Sequence, residues 1–502
     1  MQSSENRQIV LQNLLDAHHE WLLIYPAGRS FAFQKGEIEL NFERGKLLLG
    51  FLDDKGFQTW RVADFQTKNN EINLNLTRNF EKERAKIRLV PRALAKDLSA
   101  SVELARLEKA NKIAQIIKET FPQIKLVRTE LNKENGRFAQ IVFENQSGKR
   151  IEALADVSEN LTPEILLSTA ILRLVKLQNR KKNPVETIWI VGEKKQAGKL
   201  QKLHALLRED WKPKILIKEI SRQDAKAQNE ELVKDLPSLQ IQDLWRGRAS
   251  EIKTAENGEL SETARKIIEF SPAEIDAVFS KHGETLRFNG LPFARVRRIF
   301  DQEKVWFGVE RSRQILSENN FDELLELIEN LRSFRRSDAP NKRHALFQTA
   351  PEAWLEAVLR RNIKLLDANL ILSPLYQQFR AERERIDLLA LRRDGRLVII
   401  ELKTAPDREM IFQTADYWRK LELQRRKGNL QKARLFGDAR ISDAPAICYL
   451  AAPTLAFHRD LDFLASTITP EIEIHRFNLA ENWRENLKVF ERREVFKKNL
   501  GI

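Results

Sequence analysis

Cysteine is almost absent from this sequence: Cys448 is the only one in 502 residues. A lone thiol excludes an internal disulfide framework and any cysteine-built zinc site. The seven histidines are scattered, with neither an H-x3-H nor an H-E-x-x-H spacing among them, so a histidine zinc centre is not expected either. No apolar run reaches the roughly 18 residues of a membrane span. The start, "MQSSENRQIVLQNLL", lacks the basic-then-apolar order of a signal peptide. No G-x4-G-K-[ST] occurs, which removes the P-loop of a helicase or ATPase. These absences lead to the expectation of a soluble, cytoplasmic chain.

What is abundant is charge. Eighty-six Lys and Arg stand against 72 Asp and Glu, a formal net charge of +14, and a surplus of that sign favours a polyanionic partner such as DNA. The surplus is concentrated in "RKLELQRRKGNLQKAR", residues 419–434, with seven basic residues and one acidic one. Arg419, Lys420, Arg425, Arg426 and Lys427 are the DNA-contact candidates there. "FARVRR" at 293–298 puts Arg295 and Arg297 on one face of a strand and adds them as candidates. "FRRSDAPNKRH" reads as a flexible linker whose charge touches backbone phosphates.

With 502 residues the chain is long enough for two to four domains. Short alternating segments broken by Gly and Asn-Asn turns, "EIELNF" to "AKIRLV" over residues 30–90, predict a small β-rich domain at 1–92. Alternating helix and strand patterns predict an α/β domain at 93–245. Polar text at 246–262 predicts a linker, followed by a small mixed α/β domain to 345. A last α/β domain at 346–502 runs helix, strand, strand, strand, long helix (407–427), strand, helix, strand, helix. The fold class expected is mixed α/β.

The two halves resemble one another. "RFAQIVFENQSGKRIEALADV" at 137–157 matches "RIDLLALRRDGRLVIIELKT" at 385–404 when Gly148 is set on Gly395. "LQNRKK" matches "LQRRKG", and Phe42 and Trp60 share their spacing with Phe288 and Trp306. These offsets, 246 or 247 residues, read as a tandem duplication, with smaller domains before each α/β copy.

In the second copy a run of Leu, Val and Ile ends in Glu401-Leu402-Lys403, with Asp387 fourteen residues earlier. Carboxylates and a lysine are costly to bury, and a plain core strand has no use for them. Gly395 marks a tight hairpin turn, which sets Asp387 across from Glu401, and Lys403 shares a strand face with Glu401. Two carboxylates held together need a cation between them, and hard oxygen ligands suit Mg²⁺ or Mn²⁺. A lysine beside such a metal can hold or deprotonate a water. This is the equipment for hydrolysing a phosphodiester.

Asp-x13-Glu-x-Lys on a hairpin, followed by a helix carrying Gln413-x3-Tyr417, resembles the PD-(D/E)xK nuclease superfamily. The likeness covers about 351–480 and is nearest the RecB-like and NucS-type (archaeal and actinobacterial mismatch endonuclease) branches. It implies a restriction-endonuclease-like αβββαβ core with Asp387 and Glu401 as metal ligands. It also implies that Gln413 and Tyr417 orient the scissile strand and the water, and that a glutamate on the preceding helix joins the site. "PEAWLEAVLRRN" offers Glu352, favoured by its spacing to Leu355, Leu359 and Asn362, and Glu356. In the first copy the metal-site positions hold Gln140, Leu154 and Asp156, which implies an inert copy kept for DNA binding, pairing or architecture; a site using Glu152 and Asp156 is the alternative there.

The function expected is a metal-dependent DNA endonuclease, in repair or defence, acting as a monomeric pseudo-dimer. The rival readings are a non-catalytic DNA-binding or scaffold protein built on nuclease folds, and an RNA-directed nuclease.

Overall fold

The computed structural model describes residues 4–495, except 26–29, 35–36, 44, 54–55, 69–70, 79–82, 92–94, 159, 181–183, 223–230, 250–251, 253–258, 281–282, 300–301, 310–312, 373–379 and 382–383. The protein is mixed α/β and divides into two compact units. The first is Met1–Gln201 with Pro213–Pro237, and the second is Lys202–Lys212 with Ser238–Ile502. No helix among the described residues is long and apolar enough to cross a membrane. Residues 250–251 and 253–258 of the polar stretch read as a linker at 246–262 lie outside the described residues.

Each unit holds one large antiparallel sheet and one mixed sheet, and the second unit adds a two-stranded ribbon of Arg380–Ala381 and Glu384–Arg385. In the first unit the antiparallel sheet has seven strands, from Glu20–Ile24 to Glu83–Pro91. Its strands alternate apolar and polar residues, so one face closes on Leu11, Trp21, Phe51, Trp60 and Leu89. In the second unit the antiparallel sheet has five strands, from Ile275–Ser280 to Gln314–Ile315, closed by Leu286, Phe293 and Leu331. Trp60 pairs with Leu49 in the first and Trp306 with Arg295 in the second, the same register displaced by 246 residues in both strands.

The mixed sheets share one topology. The first unit's runs Lys125–Leu131, Phe138–Glu144, Arg150–Asp156, Val185–Glu193, Ile215–Arg222, Glu231–Asp235. The second unit's runs Leu370–Leu372, Leu388–Arg392, Leu397–Leu402, Ile447–Pro453, Glu473–Leu479, Val489–Glu494. In both, successive neighbours are antiparallel, antiparallel, parallel, parallel and antiparallel. Helices fall in matching places: Ala95–Thr120 and Pro351–Arg361 before the sheet, Pro163–Gln178 and Met410–Arg426 between the third and fourth strands, Lys194–His204 and Leu461–Ser466 between the fourth and fifth.

The hairpins agree residue by residue. Ile141 faces Ala153 and Leu388 faces Ile400, 247 residues apart in both strands. Gly148 (φ 76°) and Gly395 (φ 82°) supply the left-handed turn conformation that L side chains rarely adopt. At Gly395 a Cβ would also stand 2.9 Å from the Arg440 carbonyl oxygen, so this turn is closed to any larger residue.

In the second unit the hairpin is sandwiched. Leu388, Ala390, Val398, Ile400 and Leu402 face Trp354, Leu355 and Leu359 of the helix Pro351–Arg361. The alternate residues, Leu389 and Ile399 among them, are equally buried on the opposite face, and the long helix Met410–Arg426 also packs on this strand. Trp418 of that helix is fully buried and donates its indole N–H to the Ala446 carbonyl at 3.0 Å.

Two expectations need correcting here. The last element of the chain is not a helix among the described residues: Val489–Glu494 is an edge strand whose backbone pairs with Glu473–Leu479. The stretch 335–344, read as a flexible linker, is anchored at its first residue. Arg335 is 0 % exposed, and its guanidinium donates to the carbonyls of Phe288, Asn289, Leu346, Thr349 and Ala350. Arg336 is tied to Asp338 at 2.6 Å and Lys342 to Glu485 at 2.5 Å. Of this charge only Arg335 is spent inside the fold; the Arg336 and Lys342 pairs are on the surface.

Candidate active site

Asp387 immediately precedes the strand Leu388–Arg392. Continuing the Leu388–Ile400 register by one residue sets it opposite Glu401, at the open end of the hairpin. Its Oδ2 accepts the Leu402 backbone N–H at 2.8 Å, which fixes the carboxylate against the neighbouring strand. Glu401 is 3 % exposed. Its Oε1 accepts from Lys403 Nζ at 2.9 Å, whereas its Oε2 is buried with no hydrogen-bond partner. Burial first, and then the facing charge of Asp387, push the Glu401 carboxyl well above the usual range, with Glu352 adding to the effect and Lys403 opposing it. A buried carboxylate oxygen with no donor is uncommon enough to need a cause.

Burial alone would pull the Lys403 ammonium down, but Glu401, Glu352 and Asp387 together hold it above the ordinary lysine range. It also reaches Asp407 at 3.5 Å. Lys403 is therefore a fixed cation in this arrangement rather than a ready base. Asp407 was not singled out from the sequence; an acid four residues after the lysine, in the turn that leads to the long helix, was the available signal.

Of the two helix glutamates, Glu352 is at the cluster. It lies in the first turn of Pro351–Arg361, and its Oε1 accepts the Thr404 N–H at 3.4 Å. Glu356 is buried elsewhere, bound to Arg360 at 2.7 Å with Arg287 at 3.9 Å. Gln413 and Tyr417 stand one turn apart on the helix Met410–Arg426 and are both half-buried. Gln413 Oε1 is a second buried oxygen with no hydrogen-bond partner.

The basic run is a different matter. Arg419 and Lys420 are each 6 % exposed and both grip Asp416, at 2.7 and 2.6 Å. Burial pushes Asp416 up, but these two cations overcome it and hold its carboxyl below the usual carboxylate range. Arg425 is bound to the fully buried Glu422 at 2.7 Å. Arg426 is exposed, 3.5 Å from Glu422 and over the Trp245 ring at 4.6 Å; Lys427 is exposed as well. So Arg419 and Lys420 do not present an open basic face: helical i+3 and i+4 pairing with acids turns them inward. Arg295 and Arg297 alternate along Leu291–Ile299 and are half-buried, with the Arg297 guanidinium 5.8 Å from the Trp306 ring.

The first hairpin has the same frame and other contents. Gln140 faces Leu154, where the second hairpin has Asp387 facing Glu401. Glu152, 1 % exposed, is held by Arg173 through two hydrogen bonds of 2.7 and 3.2 Å. Asp156 accepts the N–H groups of Ser158 and Leu161 and the Ser158 hydroxyl, closing its own loop. Both acids are engaged in holding the fold, which tells against the alternative of a second site built on Glu152 and Asp156. Arg173→Ala, by stranding the Glu152 charge, should cost the first unit about 3 kcal/mol; replacing both partners with Met should restore most of it. Urea denaturation of the three proteins measures the difference.

No family model matches this chain, and no curated protein matches it. One solved structure, "Structure of EndoMS in apo form", aligns with 43% of this chain and 93% of its own at 11% identity, with a TM-score of 0.17; a likeness at that level carries no argument about fold or function.

Proposed function

We propose that the protein is a metal-dependent nuclease that hydrolyses phosphodiester bonds in DNA at the second hairpin. One observation carries the reading: Asp387 and Glu401 face each other at the hairpin's open end, and a buried Glu401 oxygen lacks any donor. The donor set fits a hard divalent cation, because two carboxylates repel unless a cation separates them. Among the described residues no group of three or more His, Cys, Asp and Glu side chains is arranged to hold a metal, so the remaining ligands would be water and substrate phosphate, as Mg²⁺ commonly prefers. Bound between Asp387 and Glu401, Mg²⁺ or Mn²⁺ would neutralise charge on the scissile phosphate and acidify a water.

The chain's own residues supply the rest. Lys403, charged and pinned by Glu401 and Asp407, donates hydrogen bonds to the attacking water or a phosphate oxygen. Glu352, whose charge bears on both Glu401 and Lys403, accepts a proton from that water. Gln413 offers its unpartnered carbonyl oxygen to the same water. The matching topology of the two mixed sheets supports a restriction-endonuclease-like core in both units, with the first copy inert because Gln140 and Leu154 offer no acid pair. One cutting centre per chain follows, and with it a nick rather than a double-strand cut per binding event. The exposed Arg426, Lys427, Lys432 and Arg434 are the members of the basic run left to meet the phosphate backbone.

A panel of single-stranded, duplex, mismatched and branched DNA, with an RNA competitor, incubated with Mg²⁺ or Mn²⁺, tests this. The expected result is metal-dependent cleavage of at least one DNA, abolished by chelator. Binding with no cleavage of any substrate would favour the scaffold reading, and preferential cutting of RNA would favour the RNA-directed one.

A further inference from the structure

A cavity of about 600 Å³ in the second unit is walled by four arginines, Arg332, Arg336, Arg361 and Arg484, and by none of the hairpin carboxylates. Two of the four are neutralised: Arg332 by Glu329 at 3.2 Å and Arg336 by Asp338 at 2.6 Å. The third acid in the wall, Glu274, takes the Ser271 hydroxyl at 2.7 Å. Arg361 and Arg484 have no carboxylate partner among the described residues. Arg361 is exposed and donates to Asn289 Oδ1 at 2.8 Å and to the Glu274 carbonyl at 3.3 Å. Arg484 lies against the Trp483, Phe347 and Trp354 rings at 4.5, 4.8 and 5.2 Å, and its Nε is buried with no acceptor.

The surroundings add positive charge rather than relieve it. Arg335, fully buried behind the cavity, is satisfied by carbonyls alone, and burial followed by the Arg484 cation lowers its guanidinium to about 9. Arg335 and Arg484 are neighbouring like charges, neither with a carboxylate partner among the described residues, and such an arrangement is costly. Asn289, which links Arg335 to Arg361, is held in the left-handed region at φ 42°. That is the conformation required by its two-residue Asn-Gly turn between Phe288 and Leu291, which fixes the Asn289 side chain between the two arginines. The volume lies within the range of small-molecule pockets.

We propose that Arg361 and Arg484 form a binding site for a phosphate group. Planar guanidiniums match phosphate oxygens two donors at a time, and the negative charge of a phosphate would offset the unneutralised cations and give Arg484 Nε its acceptor. The phosphate belongs either to a nucleic-acid strand or to a free nucleotide. The site does not depend on the hairpin chemistry, so its test is run in chelator, where no cleavage occurs.

Binding of four probes to the full chain is measured in EDTA: a DNA oligonucleotide with a 5′-phosphate, the same one with a 5′-hydroxyl, dAMP, and deoxyadenosine. The variants are Arg361→Gln, a surface change expected to leave the fold intact, with Arg484→Gln and Arg484→Lys. The expected result is a loss of at least about tenfold for phosphate-bearing probes in both Gln variants, the scale of one lost charge-assisted hydrogen bond, with Arg484→Lys losing less. Equal losses for both oligonucleotides identify an internal phosphate, a loss confined to the 5′-phosphorylated one a strand end, and a loss confined to dAMP a free nucleotide. Unchanged affinity for all phosphate probes in folded Arg361→Gln protein would overturn the proposal. So would a loss that deoxyadenosine shares.

Discussion

Asp387→Asn and Glu401→Gln should each keep the fold and slow phosphodiester cleavage by at least about 10³-fold, because each removes several kcal/mol of metal-borne transition-state stabilisation. Single-turnover cleavage in Mn²⁺ measures it, and cleavage at the native rate by the Glu401→Gln protein would remove the hairpin from the chemistry. A thermal signature accompanies the loss. The folded Glu401 carboxyl titrates well above its ordinary value, so below the unfolded pKa of about 4.5 both states are protonated and nothing is lost. As pH rises through the folded pKa the unfolded chain has already released its proton, and the metal-free native state becomes less stable. In EDTA, Glu401→Gln should therefore melt higher than the native protein at neutral pH, by roughly 2 °C or more. The two should converge near pH 4.

The second large effect lies at Arg335. Arg335→Met keeps the length of the side chain and removes donors from five carbonyls, those of Phe288, Asn289, Leu346, Thr349 and Ala350. Each buried acceptor left without a donor costs about 1–3 kcal/mol, and even with partial rearrangement the second unit should lose about 4 kcal/mol or more. Urea denaturation reports the loss. A change under about 1 kcal/mol would mean that these carbonyls find other donors. The effect should be far larger than at the neighbouring Arg336, whose acid partner, Asp338, is on the surface two residues away.

What could be read from the sequence was the frame. Two glycines in left-handed turns, with alternating apolar strands on either side, fix a hairpin and its register, and Gly148 and Gly395 gave the 247-residue offset that the paired strands carry. The Asp387, Glu401 and Lys403 cluster followed from counting outward from Gly395. The helix acid was legible only as a pair, since Glu352 and Glu356 share a face; what separates them is Arg360 and Arg287, and the latter comes from a strand almost seventy residues away. The basic run misled because counting began at Arg419. Asp416, three residues earlier, and Glu422 within the run take up Arg419, Lys420 and Arg425, and only tertiary burial makes such pairs permanent. Arg335 was unreadable for a similar reason: its partners are backbone carbonyls, which no side-chain pattern reveals.

The most direct test is a calorimetric titration of Mn²⁺ into the native chain and into the Asp387→Ala/Glu401→Ala protein at neutral pH. The account requires one ion per native chain and none in the double variant, with both proteins equally folded. No ion in the native chain, or the same stoichiometry and affinity in both, would contradict it.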